Sequence, residues 1–215
     1  MGAKTWMLVY ANRDARLALA ARPTLDTAAS QRLAATLFPG EHLAPLALGD
    51  LSWTCPPKDE LLIGCFPGVA IVAAREFGID YPSRLDRRFI AAAGSGMLFL
   101  HAMHSVVDWF AYAQWADGTL LRSLSVSPDS GILEDIGPPL PFETPYWSGA
   151  FPAVDDGEDA ASYPLPFHPL DLAEAALGTL FGYHLEGEID AVLLAPETIP
   201  LLRYRRRHPW WRFWR

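Results

Sequence analysis

The sequence predicts an α+β fold: a mixed, mainly antiparallel sheet with about three helices packed on it. Three observations carry this. Asp117-Gly118 stands between two extended runs, the strongest short-range signal for a hairpin. Three stretches keep an apolar repeat of three to four residues, the period of a helix with one buried side. The chain also holds 19 prolines, and each removes a backbone donor and breaks a helix interior, which disfavours an all-helical bundle.

Taken in order, Thr5–Tyr10 forms a first apolar strand, closed by polar ANRD. Thr24 or Asp26 caps a helix near 26–38, in which Leu25, Ala29, Leu33 and Leu37 recur every fourth residue until Pro39-Gly40 stops it. Leu61–Phe66 and Val69–Ala74 are two short apolar runs around Pro67-Gly68, expected as buried strands. A second helix is expected near 83–92, with Pro82 in its first turn and Gly94 after its end. Met97–Ala102, Val106–Trp115, Thr119–Val126 and Ile132–Ile136 form an antiparallel meander, its turns at Asp117-Gly118 and Ser127–Gly131.

Residues 137–169 are rich in proline, glycine and acids, yet rings recur through them. The stretch is therefore expected to wrap the body in an ordered way, with one acidic tip at Asp155–Asp159. A third helix near 170–181 carries Leu172, Ala176, Leu177 and Leu180 as its stripe, with Asp171 in its first turn. Asp190–Leu194 is a candidate last strand. At 215 residues and 51% hydrophobic content, residues 1–202 suit a single domain with a sizeable core, followed by a basic, Trp-rich tail at 203–215.

Charge excludes several function classes. Six arginines and no acid fall in the tail, RYRRRHPWWRFWR, leaving 11 bases against 25 acids in the first 202 residues, a net −14. An acidic body of that size disfavours nucleic acid as a partner. The tail itself suits docking on the chain's own acidic body, a protein partner, contact between copies of the chain, or an anionic membrane surface met by Arg203–Arg215. Thr5–Ala11 is too short for a signal core, and no run is long enough to span a bilayer, so a cytoplasmic location is expected. Cys55 and Cys65 lack the spacing of a zinc site and fit a reducing compartment. No P-loop, Rossmann fingerprint, H-E-x-x-H or nucleophile elbow is present, and Ser95 sits in a bare Gly-Ser-Gly. No metal or cofactor is therefore expected.

The densest chemistry lies in His101–Tyr112, HAMHSVVDWFAY. On a helix His101, His104 and Asp108 would converge. On a strand His104, Val106, Asp108, Phe110 and Tyr112 take one face and His101 the other, leaving His104 and Asp108 roughly 13 Å apart by strand rise. The β-branched and aromatic content favours the strand. Hydrogen-bonded strand residues are thus the main expectation for the histidines, with catalysis by His101 or His104 as the alternative. Carboxylates at Asp108, Glu134 or Glu143 would join them if the fold gathers the set. Failing that, Asp129 is expected as a turn residue and Glu134, Asp135 and Glu143 as solvated acids. The rings Phe142, Tyr146, Trp147, Phe151, Tyr163 and Phe167 either lock the long loop to the sheet or line a groove. The candidate ligand-binding residues are Trp109, Arg122, Tyr146, Trp147 and His168.

Three long blocks carry a resemblance: MGAKTWMLVYA at the start, HAMHSVVDWFAYAQWADGTLLRSLSVSPDSGILEDIGPPLPFE in the middle, and YPLPFHPLDLAEAALGTLFGY later. Together they resemble an actinobacterial family of uncharacterised proteins, a domain of unknown function, over residues 1 to about 204. That resemblance implies a cytoplasmic bacterial protein and assigns no activity or catalytic residue. WADGTLLRSL and GPPLPFE are also similar in style to segments of bacterial immunity-type proteins, an analogy only. Two function classes follow. The first is a non-enzymatic binding or interaction module using the acidic rim and the aromatic loop. The second is a small hydrolase or metal-assisted enzyme using His101 or His104 with Asp108, Glu134 or Glu143. An immunity-type role stands as a further alternative.

Overall fold

The computed structural model describes residues 2–153, 163–187 and 192–207. Strands are β1 Lys4–Ala11, β2 His42–Pro45, β3 Gly49–Asp50, β4 Glu60–Phe66, β5 Val69–Ala73, β6 Met97–His104, β7 Trp109–Ala116, β8 Thr119–Ser127, β9 Gly131–Ile136 and β10 Pro200–Arg207. Helices are α1 Ala15–Ala20, α2 Thr27–Leu37, α3 Arg87–Ala91, α4 Thr144–Trp147 and α5 Pro169–Leu180.

The strands make one ten-stranded sheet in the order β2-β10-β4-β5-β1-β6-β7-β8-β9, with β3 paired to β10. Every ladder between named strands is antiparallel. This overturns the expected α+β class with its mixed sheet and three helices: the fold is mainly β, and the longest of its five described helices has 12 residues. The two outer helices of the sequence reading are present, α2 capped by Asp26 and α5 capped by His168. The middle one is not a single helix. Pro82–Arg84 forms a 3-10 turn, Leu85 is extended at φ −52 and ψ 134, and Asp86 caps only the five residues of α3. A capping aspartate inside an apolar repeat breaks what periodicity alone would join.

Pleat alternation sorts the sheet into two faces, both covered. Met7, Val9, Ile71, Phe99, Met103, Phe110, Tyr112 and Leu124 pack under α5 and α1, against Leu172, Ala176, Leu177 and Leu19. Leu8, Ile63, Val72, Leu98, Leu100, Ala111 and Trp115 pack on the other side against Leu37, Phe38, Phe77 and Phe89. The expected meander is present as β6–β9. At its central turn Asp117 and Gly118 sit at φ 50 and 74, the left-handed pair that matches the twist of a two-residue hairpin.

Residues 203–207, grouped with the tail by composition, belong to β10, which lies between β2 and β4. Three of its four arginines pair with carboxylates. Arg206 is buried and pairs with Glu41 at 2.7 Å and Glu76 at 2.6 Å, its guanidinium 4.7 Å from the Phe38 ring centroid. Arg203 and Arg205 share Glu60. The acidic tip Asp155–Asp159 and the remainder of the tail, 208–215, lie outside the described residues. The candidate strand Asp190–Leu194 begins outside them, and Val192–Leu194 is not extended into a ladder. Among the described residues no helix is long and apolar enough to cross a membrane.

Candidate ligand-binding site

The polar side of α5 lines a hollow. Leu172, Ala173, Ala176 and Leu177 are buried against the sheet, so Asp171, Glu174 and Ala175, close together on another side of the helix, are left to line the opening. His168 caps this helix, its Nδ1 accepting from the Leu170 amide at 3.3 Å. After α5 the chain returns through Gly182 and lays the His184 ring over Gly178, where a β-carbon would collide with the imidazole. The return ends in the amides of Leu185 and Glu186, which donate to the two oxygens of Glu174 at 2.9 and 3.1 Å. Glu186 in turn accepts from the Ala3 amide at the start of β1, at 2.7 Å. Met103 of β6 and the Tyr146–Phe151 ring pair, 4.9 Å between centroids, complete a hollow of about 860 Å³.

Its electrostatics are one-sided. Asp171, Glu174 and Glu186 line it beside two imidazoles, and among the described residues no lysine or arginine does. Burial pushes the Glu174 carboxyl up to about 7, against the two amide hydrogen bonds that favour its charge; the Glu186 charge adds to the rise. Burial holds His184 below the ordinary histidine range. Burial and the charge of Asp171 raise the Tyr146 phenol. At the rim, Asp108 Oδ2 lies 3.7 Å from His168 Nε2.

This hollow gathers three of the ten candidate catalytic and ligand-binding residues: Tyr146, His168 and, through its contact with His168, Asp108. The others are dispersed. His101 is buried on the α5 side with a closed set of partners: Nε2 faces the Ala173 carbonyl at 3.1 Å and Nδ1 faces the Thr5 hydroxyl at 2.7 Å. A carbonyl only accepts, so Nε2 carries the hydrogen and Nδ1 receives the threonine's. His104 lies on the opposite face. The two histidines therefore separate as the pleat requires, but the rest of the expected facing is corrected. Ser105–Asp108 is a turn, not strand, with Asp108 at φ 46. The turn resets the register, so His101 stands opposite Tyr112 with its ring 5.2 Å from that of Phe110, while His104 stands opposite Trp109. The estimate of His104 and Asp108 as two pleats of one strand fails for the same reason.

Glu143, Arg122 and Trp147 belong to a separate buried cluster. Arg122 reaches Glu143 through Nη2 at 2.7 Å and Nε at 3.0 Å, bonds Asp135, and donates to the Gly137 carbonyl at 2.9 Å. Glu143 also accepts from Tyr112, the Leu140 amide and Trp147 Nε1. With every partner satisfied, the cluster fastens the GPPLPFE loop and α4 to the sheet. Glu134 is taken by Ser83 and Ser123, on the face away from α5. Trp109 is buried there too, donating to Ser125 at 3.3 Å.

Sequence reasoning missed Glu174, His184 and Glu186 as site residues. The 171/174/175 spacing opposite the leucine stripe was visible; the backward turn after Gly182 that brings His184 and Glu186 to that face was not. Among the described residues no three or more His, Cys, Asp or Glu side chains gather closely enough to hold a metal ion. No curated protein and no solved structure matches the chain. Residues 5–204, nearly its whole length, match the family of unknown function DUF6928, and the chain belongs to that family.

Proposed function

We propose that the protein is a binding module whose α5 hollow takes a small organic cation, a protonated amine on an apolar or aromatic body. The observation that carries this reading is the lining: three carboxylates and, among the described residues, no lysine or arginine, beside the Tyr146 and Phe151 rings. Carboxylates attract the ammonium by charge, and ring faces attract it by their quadrupole. A volume of about 860 Å³ lies within the range that encloses small ligands. The hydrolase or metal-assisted reading has less support, because His101, His104, Glu134 and Glu143 are occupied or separated by the sheet. Only Asp108 approaches the hollow, through His168.

Calorimetric titration with benzylamine and with phenylacetate at pH 8 tests the reading. The amine is expected to bind and the acid not to. The double substitution Asp171→Asn with Glu174→Gln is expected to weaken the amine by about tenfold or more, the scale of one lost charged contact. Preference for phenylacetate, or amine binding indifferent to both substitutions, overturns it. Recovery of a chemically altered amine would shift the reading to an enzyme.

A further inference from the structure

A second hollow, of about 340 Å³, opens on the other face of the sheet, at the same end as the first. Its walls are aromatic and apolar: Trp6 from β1, Trp109 from β7, Leu133 from β9 and Val107 from the β6–β7 turn. Gly78 lies flat against the Trp6 indole, and a β-carbon there would come within 2.7 Å of that ring. Two nitrogen-bearing groups face the space. The Arg75 guanidinium stacks 4.3 Å from the Trp6 ring centroid, which holds an exposed arginine in one place. The His104 ring lies 6.5 Å from the same indole, tilted by 32°.

His104 Nδ1 is buried and has no hydrogen-bond partner among the described residues. Buried polar atoms are almost always paired, so an unpaired one at a hollow calls for an explanation. The local field gives it a sign. Burial first, then the charges of Lys4 and Arg75, holds the imidazole below its ordinary pKa, and those two cations are of the sign that attracts an anion. Asp80 and Asp129 stand on the rim and would repel a multiply charged group such as a phosphate dianion. Ring-shaped walls, one fixed guanidinium, a neutral imidazole and two rim acids select a flat monoanion.

We propose that this hollow is a second binding site, for a planar aromatic ring bearing one carboxylate, with the ring against Trp6 and Trp109 and the carboxylate on Arg75. The site is independent of the amine reading, because it uses the other face of the sheet and the opposite charge. The two are nonetheless adjacent through one turn: Val107 lines this hollow, while Asp108 reaches His168 at the first.

Amide and indole N–H NMR of the full chain, titrated with indole-3-carboxylate and with indole-3-carboxamide, tests the proposal. The acid is expected to shift the Trp6 and Trp109 indole signals and the Gly78 amide, and the neutral amide to bind about tenfold more weakly or less, as loss of one charged contact implies. Arg75→Gln is expected to remove that preference, whereas Arg75→Lys, which keeps the charge, retains it. Equal binding of acid and amide overturns the proposal. So does unchanged binding by Arg75→Gln, shifts confined to the α5 hollow, or no binding at all. Benzylamine titrated into the same sample reads the first site separately, so the two readings fail by different signals.

Discussion

Arg122 and Glu143 meet at 2.7 Å with neither side chain exposed to solvent, an ion pair sealed between β8 and the loop before α4. Asp135 bonds the same guanidinium from the surface, its side chain 46% exposed. The two carboxylates should therefore differ sharply when neutralised. Removing one partner of a buried pair strands a charge and costs about 3–5 kcal/mol, whereas an exposed pair contributes about 0–1 kcal/mol. Urea denaturation is expected to place Glu143→Gln in the first range and Asp135→Asn in the second. Burial alone would raise the Glu143 carboxyl, but hydrogen bonds from Arg122, Tyr112 and the Leu140 amide hold it below the ordinary value. Its stabilising contribution is thus present above the unfolded carboxylate pKa of about 4.3 and is lost as pH falls through the lower folded value.

His101 offers a contrasting titration. Burial outweighs its hydrogen bonds and lowers its pKa to about 4, so it stays neutral where an unfolded histidine begins to charge near 6.5. The folded state then loses stability as pH falls from about 6.5 toward 4. Proton NMR should show no titration of the His101 ring between pH 8 and 5. His101→Leu removes the ring's bonds to the Ala173 carbonyl and the Thr5 hydroxyl, at a cost of about 1–3 kcal/mol at pH 7. That gap should narrow at pH 5, because the leucine variant has no proton to take up on unfolding.

At the α5 hollow the sign reverses. Glu174 has a folded pKa of about 7, above its unfolded value, with Asp171, Glu186, His168, His184 and Tyr183 in its surroundings. Its protonated form is the one the fold favours, so its stabilising contribution is complete below about pH 4.3 and lost as pH rises through about 7. Glu174→Gln should gain on the parent protein between pH 5 and 8 in denaturant titrations. Benzylamine affinity should move the other way, rising through the same interval as the carboxylate ionises. Carbon-detected NMR of the Glu174 carboxyl, with a midpoint near 7, checks both together.

The two-residue turn at Asp117-Gly118 and the strands on either side of it were legible because the turn's chemistry and the strand period agree locally. The same holds for the split of His101 from His104, which follows from side chains alternating every second residue. The turn at Ser105–Asp108 was hidden because Ser-Val-Val-Asp has strand propensity and no glycine; Asp108 takes the left-handed conformation there itself. The site was least legible. Glu174, His184 and Glu186 meet only after α5 ends and the chain doubles back, and no local pattern encodes that return. Composition misled at β10, where four arginines in Arg203–Arg207 read as a tail although three of them pair with carboxylates of the body.

That last misreading yields a boundary experiment. The composition break after Leu202 predicts that residues 203–215 can be removed without harm to the fold. In the structure, Arg203–Arg205 pair with β4 and Tyr204–Arg207 pair with β2, so a stop after Leu202 takes away the ladder joining those strands. It also takes away Arg206, a buried guanidinium that bonds both oxygens of Glu41. Stopping after Leu202 should abolish cooperative thermal unfolding, whereas stopping after Arg207 should leave the transition in place. Single substitutions separate the ladder from the charge. Arg206→Ala is expected to cost about 3–5 kcal/mol and the exposed Arg207→Ala less than about 0.5 kcal/mol. If the chain ending at Leu202 melts like the full protein, β10 is not the strand that binds β2 to the sheet.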